Sequence, residues 1–342
     1  MKTGIVRDWR YTEHEMGAFH PENPQRINVI YEMLDKEFPL PLKEIKPRFA
    51  SEEEIEMVHS RSYIQTIKET AGKERVYLDP DTSTCSRSYE TALLAAGGLL
   101  KAIDLVMEGK IENGFALVRP PGHHAERNRA MGFCLFNNVA LGAEYLRKKY
   151  GMEKILIVDW DLHHGNGTQN SFYERKDVLY FSLHQFPHYP GTGYWNEIGR
   201  GEGEGFTVNI PLLPGKNDED YLFIFRKILL PIAFEYEPNF ILVSAGFDIY
   251  KGDPLGGMMI SEEGFGMLTE ELLSLAAKTS KKRILFTLEG GYNLKGLREG
   301  VKQVLLTLSQ EEQREQKELK VSPALEKELT PIFEIQKKYW RF

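Results

Sequence analysis

The chain has 342 residues, 42% hydrophobic and 27% charged, an ordinary globular balance for one large domain or two of average size. Its net charge of −7 denies it the basic footprint that phosphate-backbone binding needs, so no direct nucleic-acid partner is expected. Two cysteines, Cys85 and Cys134, give no disulfide framework, the polar start MKTGIVRDWR has no signal-peptide core, and no apolar run reaches the about 18 residues of a membrane span; a cytoplasmic enzyme is expected.

Along the chain, an amphipathic segment at 88–109 predicts a helix, followed by the apolar run FALV at 115–118. The same alternation continues with a helix at 136–149, ILIV at 155–158, VLYFSL at 178–183, a helix at 218–236, FILVS at 240–244, a helix at 262–278 and RILFTL at 283–288. The apolar runs do not alternate with polar residues, which is the pattern of strands covered on both faces. Helices between such strands predict βαβ units, hence an α/β fold around one open parallel sheet. From about Ser309 the chain turns Glu/Gln/Lys-rich. The expected organisation is a catalytic domain over 1–308 and a charged helical tail over 309–342 that packs on or extends it.

The segments that follow the strands carry the chemistry: RPPGHHAE after FALV, DWDLHHGNG after ILIV, AGFD after FILVS and EGGY after RILFTL. Ligands of open parallel sheets bind at the carboxyl ends of the strands, where these loops must lie. In DWDLHH, two-residue spacing puts Asp159, Asp161 and His163 on one side of an extended backbone. Asp161 and His163, with Asp248 from a separate loop, offer three ligands for a zinc-like ion and leave a fourth position open. A lone Asp-x-His is more often a polar loop with local capping roles. The second acidic loop and a nearby histidine pair reverse that balance.

His123 and His124 follow a stiff Pro-Pro-Gly, and a neutral imidazole there suits general-base work. Tyr292 closes Glu-Gly-Gly-Tyr, where Gly290 and Gly291 let backbone approach a ligand; its phenol suits an oxyanion donor, although taken alone it reads as a packing residue. Together the loops predict metal-assisted amide hydrolysis: a metal polarises the carbonyl and acidifies water, a histidine takes the proton, and a tyrosine holds the oxyanion. No Gly-x-Ser-x-Gly elbow or Walker-type loop supports a serine hydrolase or a P-loop enzyme.

The stretches HPENPQR (20–26), RPPGHHAE (119–126), GFCLFNN (132–138), VDWDLHHGNGTQ (158–169), SLH (182–184), YPGTG (189–193), SAGFD (244–248), GDPLGG (252–257) and LEGGYN (288–293) resemble the zinc-dependent histone deacetylase family, in its class II branch and bacterial and archaeal relatives. The resemblance implies an arginase–deacetylase fold with a single parallel sheet of about eight strands flanked by helices. It implies Asp161, His163 and Asp248 as zinc ligands, one ion per chain. His124 matches the general base, His123 its electrostatic companion, and Tyr292 the tyrosine that polarises the acetyl carbonyl. Asp159 resembles the acid behind His123. It also borders a potassium site formed with Asp161, Ser182 and the carbonyls of Asp161, His163 and Leu183. Phe133 and Tyr189 resemble the walls of an acyl-lysine tunnel, with the Gly132 carbonyl and Gly290 beside the substrate and Asp81 at the rim.

Asn166 stands where class I members carry an acid behind the general base, so His124 is expected to be a weaker base than theirs. Tyr292 is the tyrosine of active members rather than the histidine of nearly inactive ones. Leu255 replaces the glutamate gatekeeper of polyamine-preferring relatives and favours an acetylated lysine peptide or protein. The alternatives are an acetylpolyamine or small acylated-amine amidohydrolase with the same chemistry, an arginase-like two-metal hydrolase, and a non-catalytic acyl-group binder. Iron(II) or cobalt could take the same ligands as zinc, and oligomeric state is left open.

Overall fold

The computed structural model describes residues 2–310 and 322–342. Among the described residues ten strands follow one another: β1 (Thr3–Val6), β2 (Lys43–Ile45), β3 (Val76–Tyr77), β4 (Ser83–Thr84), β5 (Asn113–Ala116), β6 (Ile155–Asp159), β7 (Val178–Gln185), β8 (Thr207–Leu212), β9 (Phe240–Ala245) and β10 (Ile284–Leu288). Eight form one sheet in the order β2-β1-β5-β10-β9-β6-β7-β8, every neighbouring pair parallel, while β3 and β4 make a small antiparallel hairpin.

All five expected apolar runs are strands of this sheet, though FALV at 115–118 overlaps a strand that starts at Asn113 and stops at Ala116. Leu117 and Val118 instead lead, fully buried, into the histidine loop. Strands β5, β6, β9 and β10 have every residue buried, which is why their sequences do not alternate.

The expected helices are Ser88–Met107, Asn138–Tyr150 and Glu262–Lys278, with Asp218–Tyr236 divided by a wide π-helical turn at Phe225–Leu229. Pro231, which has no N–H to give the helical ladder, sits just past that turn. Beyond Ser322, the helix Pro323–Gln336 lies against the outer strand β8. Glu328 there accepts from the Leu213 N–H at 2.6 Å and pairs with Lys216 at 2.6 Å, and Trp340 donates to the Gly205 carbonyl at 2.9 Å. No helix among the described residues is long and apolar enough to cross a membrane.

For the site, the consequence is geometric. β5, β10, β9 and β6 are adjacent and parallel, so their carboxyl ends open on one edge of the sheet, and each end carries one of the motif loops.

Candidate active site

Where β6 ends at Asp159, the chain turns and brings Asp161 and His163 beside Asp248 from the loop after β9. Ligand atoms of these three buried residues all lie within 4.8 Å of one another. His163 Nδ1 is 3.1 Å from Asp161 Oδ1 and 3.1 Å from Asp248 Oδ2. The backbone holds the carboxylates in turn: Gly290 N–H donates to Asp161 Oδ2 at 2.8 Å and Leu162 N–H to Asp248 Oδ1 at 2.9 Å.

Two carboxylates packed this closely in a dry site need a positive partner. Burial pushes Asp248 up to about 7, with the Asp161 charge adding to it. Burial likewise opposes Asp161, but His123 and His163 outweigh it and hold that carboxyl well below its usual range. Two carboxylates and one imidazole, with a position left over, are the donor set of a catalytic divalent metal of the zinc type, so the residues present fit such an ion.

The two loop histidines occupy different electrical environments. His123 Nδ1 lies 3.0 Å from Asp159 Oδ2, and although burial opposes its charge, Asp159 and Asp161 push its pKa up to about 10. His124 Nδ1 meets the Asn166 carbonyl oxygen at 2.8 Å. Burial, aided by His123 and His163, drives its pKa well below the ordinary histidine value. The charged form is thus favoured on one ring of the adjacent pair and disfavoured on the other, with their centroids 4.0 Å apart.

A cavity of about 420 Å³ opens above these groups, lined among others by Asp81, Gly132, Phe133, Tyr189, Leu255, Gly290 and Tyr292. Tyr189 packs edge-on to His124, with centroids 5.2 Å apart. Phe133 packs edge-on to Tyr292, with centroids 5.8 Å apart. Phe133 holds φ +69° next to Gly132 at φ +57°, a left-handed pair that costs a non-glycine residue about 1–2 kcal/mol. Thr82 Oγ1 accepts the Phe133 N–H at 3.0 Å and Asp81 Oδ1 the Gly132 N–H at 3.2 Å, which fixes the turn. Asp81 thus lines the cavity while holding the loop that carries the aromatic wall. Burial keeps the Tyr292 phenol well above its usual pKa, so it remains a proton donor. A larger cleft of about 750 Å³ beside Met152, Tyr236 and Trp340 contains none of these converging groups.

Ser182 is the register partner of Asp159 on neighbouring strands, and Leu183 follows it, buried. Ser182 Oγ lies 2.9 Å from His184 Nδ1, and Asp159 accepts from the Tyr180 hydroxyl at 3.0 Å.

Sequence reasoning gave no role to a layer of charge beneath the site. Glu289 is fully buried and accepts the Gly122 N–H at 2.6 Å, the His123 N–H at 3.2 Å and the Ser244 hydroxyl at 3.0 Å, clamping the histidine loop to β9 and β10. Glu22 is fully buried between Arg26 and Arg119. Arg26 donates to the carbonyls of Gly291 and Glu289. The available signal was confined to Arg119 and Glu289, each of which lies directly after a buried apolar run and before proline or glycine, whereas Glu22 and Arg26 lie in a polar stretch that gives none.

Fold and site together define an α/β protein with one open parallel sheet, in which a triad able to hold a metal ion, a pair of histidines and a tyrosine converge at the carboxyl ends of the strands. The chain belongs to the histone deacetylase family: the family's Histone deacetylase domain matches residues 20–308. It is 40% identical to a "Probable deacetylase" of Archaeoglobus fulgidus over 86% of this chain and 83% of that protein. It is 39% identical to Histone deacetylase HDA1 of Candida albicans over 100% of this chain and 45% of that protein. It is 42% identical to Polyamine deacetylase HDAC10 of Danio rerio over 84% of this chain and 44% of that one. The chain thus spans most of the archaeal relative and under half of these two eukaryotic ones. Among solved structures, the HDA15 HD domain superposes with a TM-score of 0.93 at 37% identity, covering 99% of this chain and 97% of that one.

Proposed function

We propose that this chain hydrolyses the amide of acetylated lysine side chains in peptides or proteins, with one zinc ion held by Asp161, His163 and Asp248. The observation that carries the reading is the meeting of three groups at one cavity: the buried triad, His124 with its Nδ1 on the Asn166 oxygen, and the Tyr292 phenol. When bound, zinc supplies Lewis acidity to the acetyl carbonyl and lowers the pKa of water.

The chain's own residues do the rest. His124 takes a proton from the attacking water as its oxygen adds to the acetyl carbon. Tyr292 donates a hydrogen bond to the oxygen that gains charge. His123, held charged by Asp159, keeps a positive field beside that centre and keeps the resting His124 neutral, with a lone pair free to take the water proton. As the C–N bond breaks, the proton on His124 passes to the leaving nitrogen, giving a neutral amine and acetic acid, and the acid's own proton then moves to the amine to give acetate and a lysine ammonium. Phe133 and Tyr189 flank the alkyl arm, and the Gly132 carbonyl accepts from the substrate amide N–H.

Leu255 at the cavity wall supports acyl-lysine over polyamine, because an aliphatic side chain gives a distant ammonium no partner. Asp159, Asp161 and Ser182, with the carbonyls of Asp161, His163 and Leu183, form an oxygen donor set suited to a structural potassium ion. The deciding experiment loads the protein with zinc and follows a fluorogenic acetyl-lysine peptide and N8-acetylspermidine in parallel, with a hydroxamate control. Hydroxamate-sensitive turnover of the peptide is expected. Turnover of the polyamine alone moves the substrate to small amines, and silence on both refutes the hydrolase reading of this site.

A further inference from the structure

The base histidine's partner, Asn166, is an amide, and an amide can face a neighbour with either its oxygen or its nitrogen. Which end it presents decides the chemistry. If oxygen faces His124 Nδ1, that nitrogen must carry the ring proton and Nε2 keeps a free lone pair. If nitrogen faces it, the proton is forced onto Nε2, which then has no lone pair with which to take another, and the only lone pair left, on Nδ1, is tied up by the amide.

The surroundings of the Asn166 nitrogen settle the choice. Glu126 Oε1 lies at 2.9 Å, Met131 Sδ at 3.3 Å and the His124 carbonyl at 3.4 Å. All three are acceptors, the Glu126 Oε1 also taking the Asn170 N–H, so the amide nitrogen faces them and the oxygen is left for His124 Nδ1 at 2.8 Å. Of the three, only Glu126 carries charge, and a charge-assisted bond is about twice as strong as a neutral one. Its carboxylate is itself anchored, since Asn170 Nδ2 donates to the same Oε1 at 2.9 Å. Its backbone is pinned by the Glu126 N–H bond to the Arg129 carbonyl at 2.9 Å and by His59 Nδ1 on the Glu126 carbonyl at 2.9 Å.

We infer that Glu126 is a positioning residue for the general base: through the Asn166 amide it fixes His124 in the tautomer with hydrogen on Nδ1 and leaves Nε2 free to take the proton. The carboxylate that does not touch the base directly acts one hydrogen bond further out. This inference rests on the proposed role of His124.

The test compares Glu126→Leu, which removes the acceptor and fills its space, with Glu126→Gln, which keeps an acceptor. Both are made in the native Asn166 background and in Asn166→Asp, where a carboxylate replaces the amide and nothing remains to be turned. In the native background Glu126→Leu should lower kcat on the acetyl-lysine peptide about tenfold with KM little changed, and Glu126→Gln should recover most of that loss. In the Asn166→Asp background Glu126→Leu should not lower kcat, because it relieves repulsion between two carboxylates. A merely structural Glu126 would cost the same factor in both backgrounds, and that result overturns the inference, as does an unchanged kcat in the native background.

A second readout needs no turnover. Histidine-selective ¹⁵N spectra, with His124 assigned by its loss in His124→Gln, should show the Nδ1–H tautomer in the native chain and a mixture in Glu126→Leu. An Nε2–H tautomer in the native chain, or no change in the variant, overturns the inference even if the native chain hydrolyses the peptide. If the chain is inactive on every substrate, the deacetylase reading fails while the spectra still decide the role of Glu126.

Discussion

The Arg26 guanidinium carbon lies 5.1 Å from the centre of the Tyr292 ring, and Arg26 Nε donates to the Gly291 carbonyl at 2.8 Å. One buried cation thus holds both the ring and the backbone that presents it. The Tyr292 and Asn293 N–H groups add a further anchor by donating to Asp253 Oδ2 at 2.7 and 2.9 Å.

Because Arg26 and Phe133 pack on the ring and Asp253 holds its backbone, removing only its hydroxyl should leave the fold alone. Tyr292→Phe is expected to lower kcat by about 100- to 1000-fold, the usual cost of one oxyanion donor, with KM and the thermal midpoint little changed. Steady-state kinetics checks this, and a variant with native kcat would remove Tyr292 from the reaction.

Gly290 tests the metal triad from behind. A Cβ there would stand 2.2 Å from Asp248 Oδ2 and 2.6 Å from Asp161 Oδ2, and no flexible chain end could yield, since both atoms belong to the triad. Gly290→Ala should weaken zinc binding by about 10- to 100-fold, as expected for a disturbed ligand environment. Competition with a chelating dye measures it. Native zinc affinity would mean the triad is looser than the buried contacts imply.

The triad itself was legible because its members follow apolar runs directly, and strand ends of a parallel sheet converge. Glu289 was not, because the N–H it accepts from Gly122 is 167 residues away and no local spacing encodes that meeting. The same holds for Glu126, which reads as an ordinary loop charge until Asn166 is placed beside it. Among strands, β6, β7, β9 and β10 announced themselves as long apolar runs. The ones that did not are short or irregular: β2 has only three residues, two of them exposed, β1 is the four-residue TGIV, and β8 carries a proline, Pro211. Their strand character comes from pairing with a neighbour rather than from their own pattern.

Leu255 lines the cavity, and its N–H is fixed by Asp253 Oδ1 at 3.0 Å, so a replacement side chain there should keep its place. Leu255→Glu puts a carboxylate at the wall where a polyamine's distant ammonium can pair with it. It is expected to raise kcat/KM for N8-acetylspermidine relative to the acetyl-lysine peptide by about tenfold, equivalent to roughly 1.4 kcal/mol. An unchanged ratio would show that this position does not sense the far end of the substrate.

Three buried groups outside the triad make the fold sensitive to acid. Burial pushes His14 down from 6.5 to about 3, more than Glu22 at 3.7 Å pulls it back. Burial pushes His59 down to about 4, although its ring donates to the Glu126 carbonyl. Burial opposes ionisation of Glu22, yet Arg119 and Arg26 outweigh it and hold the carboxyl at about 2 rather than 4.5. In each case the folded pKa lies below the unfolded one, so the unfolded chain binds more protons and stability falls as pH falls. The two histidines act first, below pH 6.5, and Glu22 joins below pH 4.5 and loses its contribution as pH passes through about 2. Each group contributes a slope of up to about 1.4 kcal/mol per pH unit inside its window. Asp248 and Glu289, both pushed up to about 7 by burial, act in the opposite sense between about pH 7 and 4, so the comparison of two chains is the test rather than one profile. The stability lead of the native chain over His59→Gln, measured by urea unfolding of both metal-stripped proteins, should shrink as pH falls from 6.5 to about 4. A lead that stays constant across that range would mean that His59 is not held neutral in the folded chain.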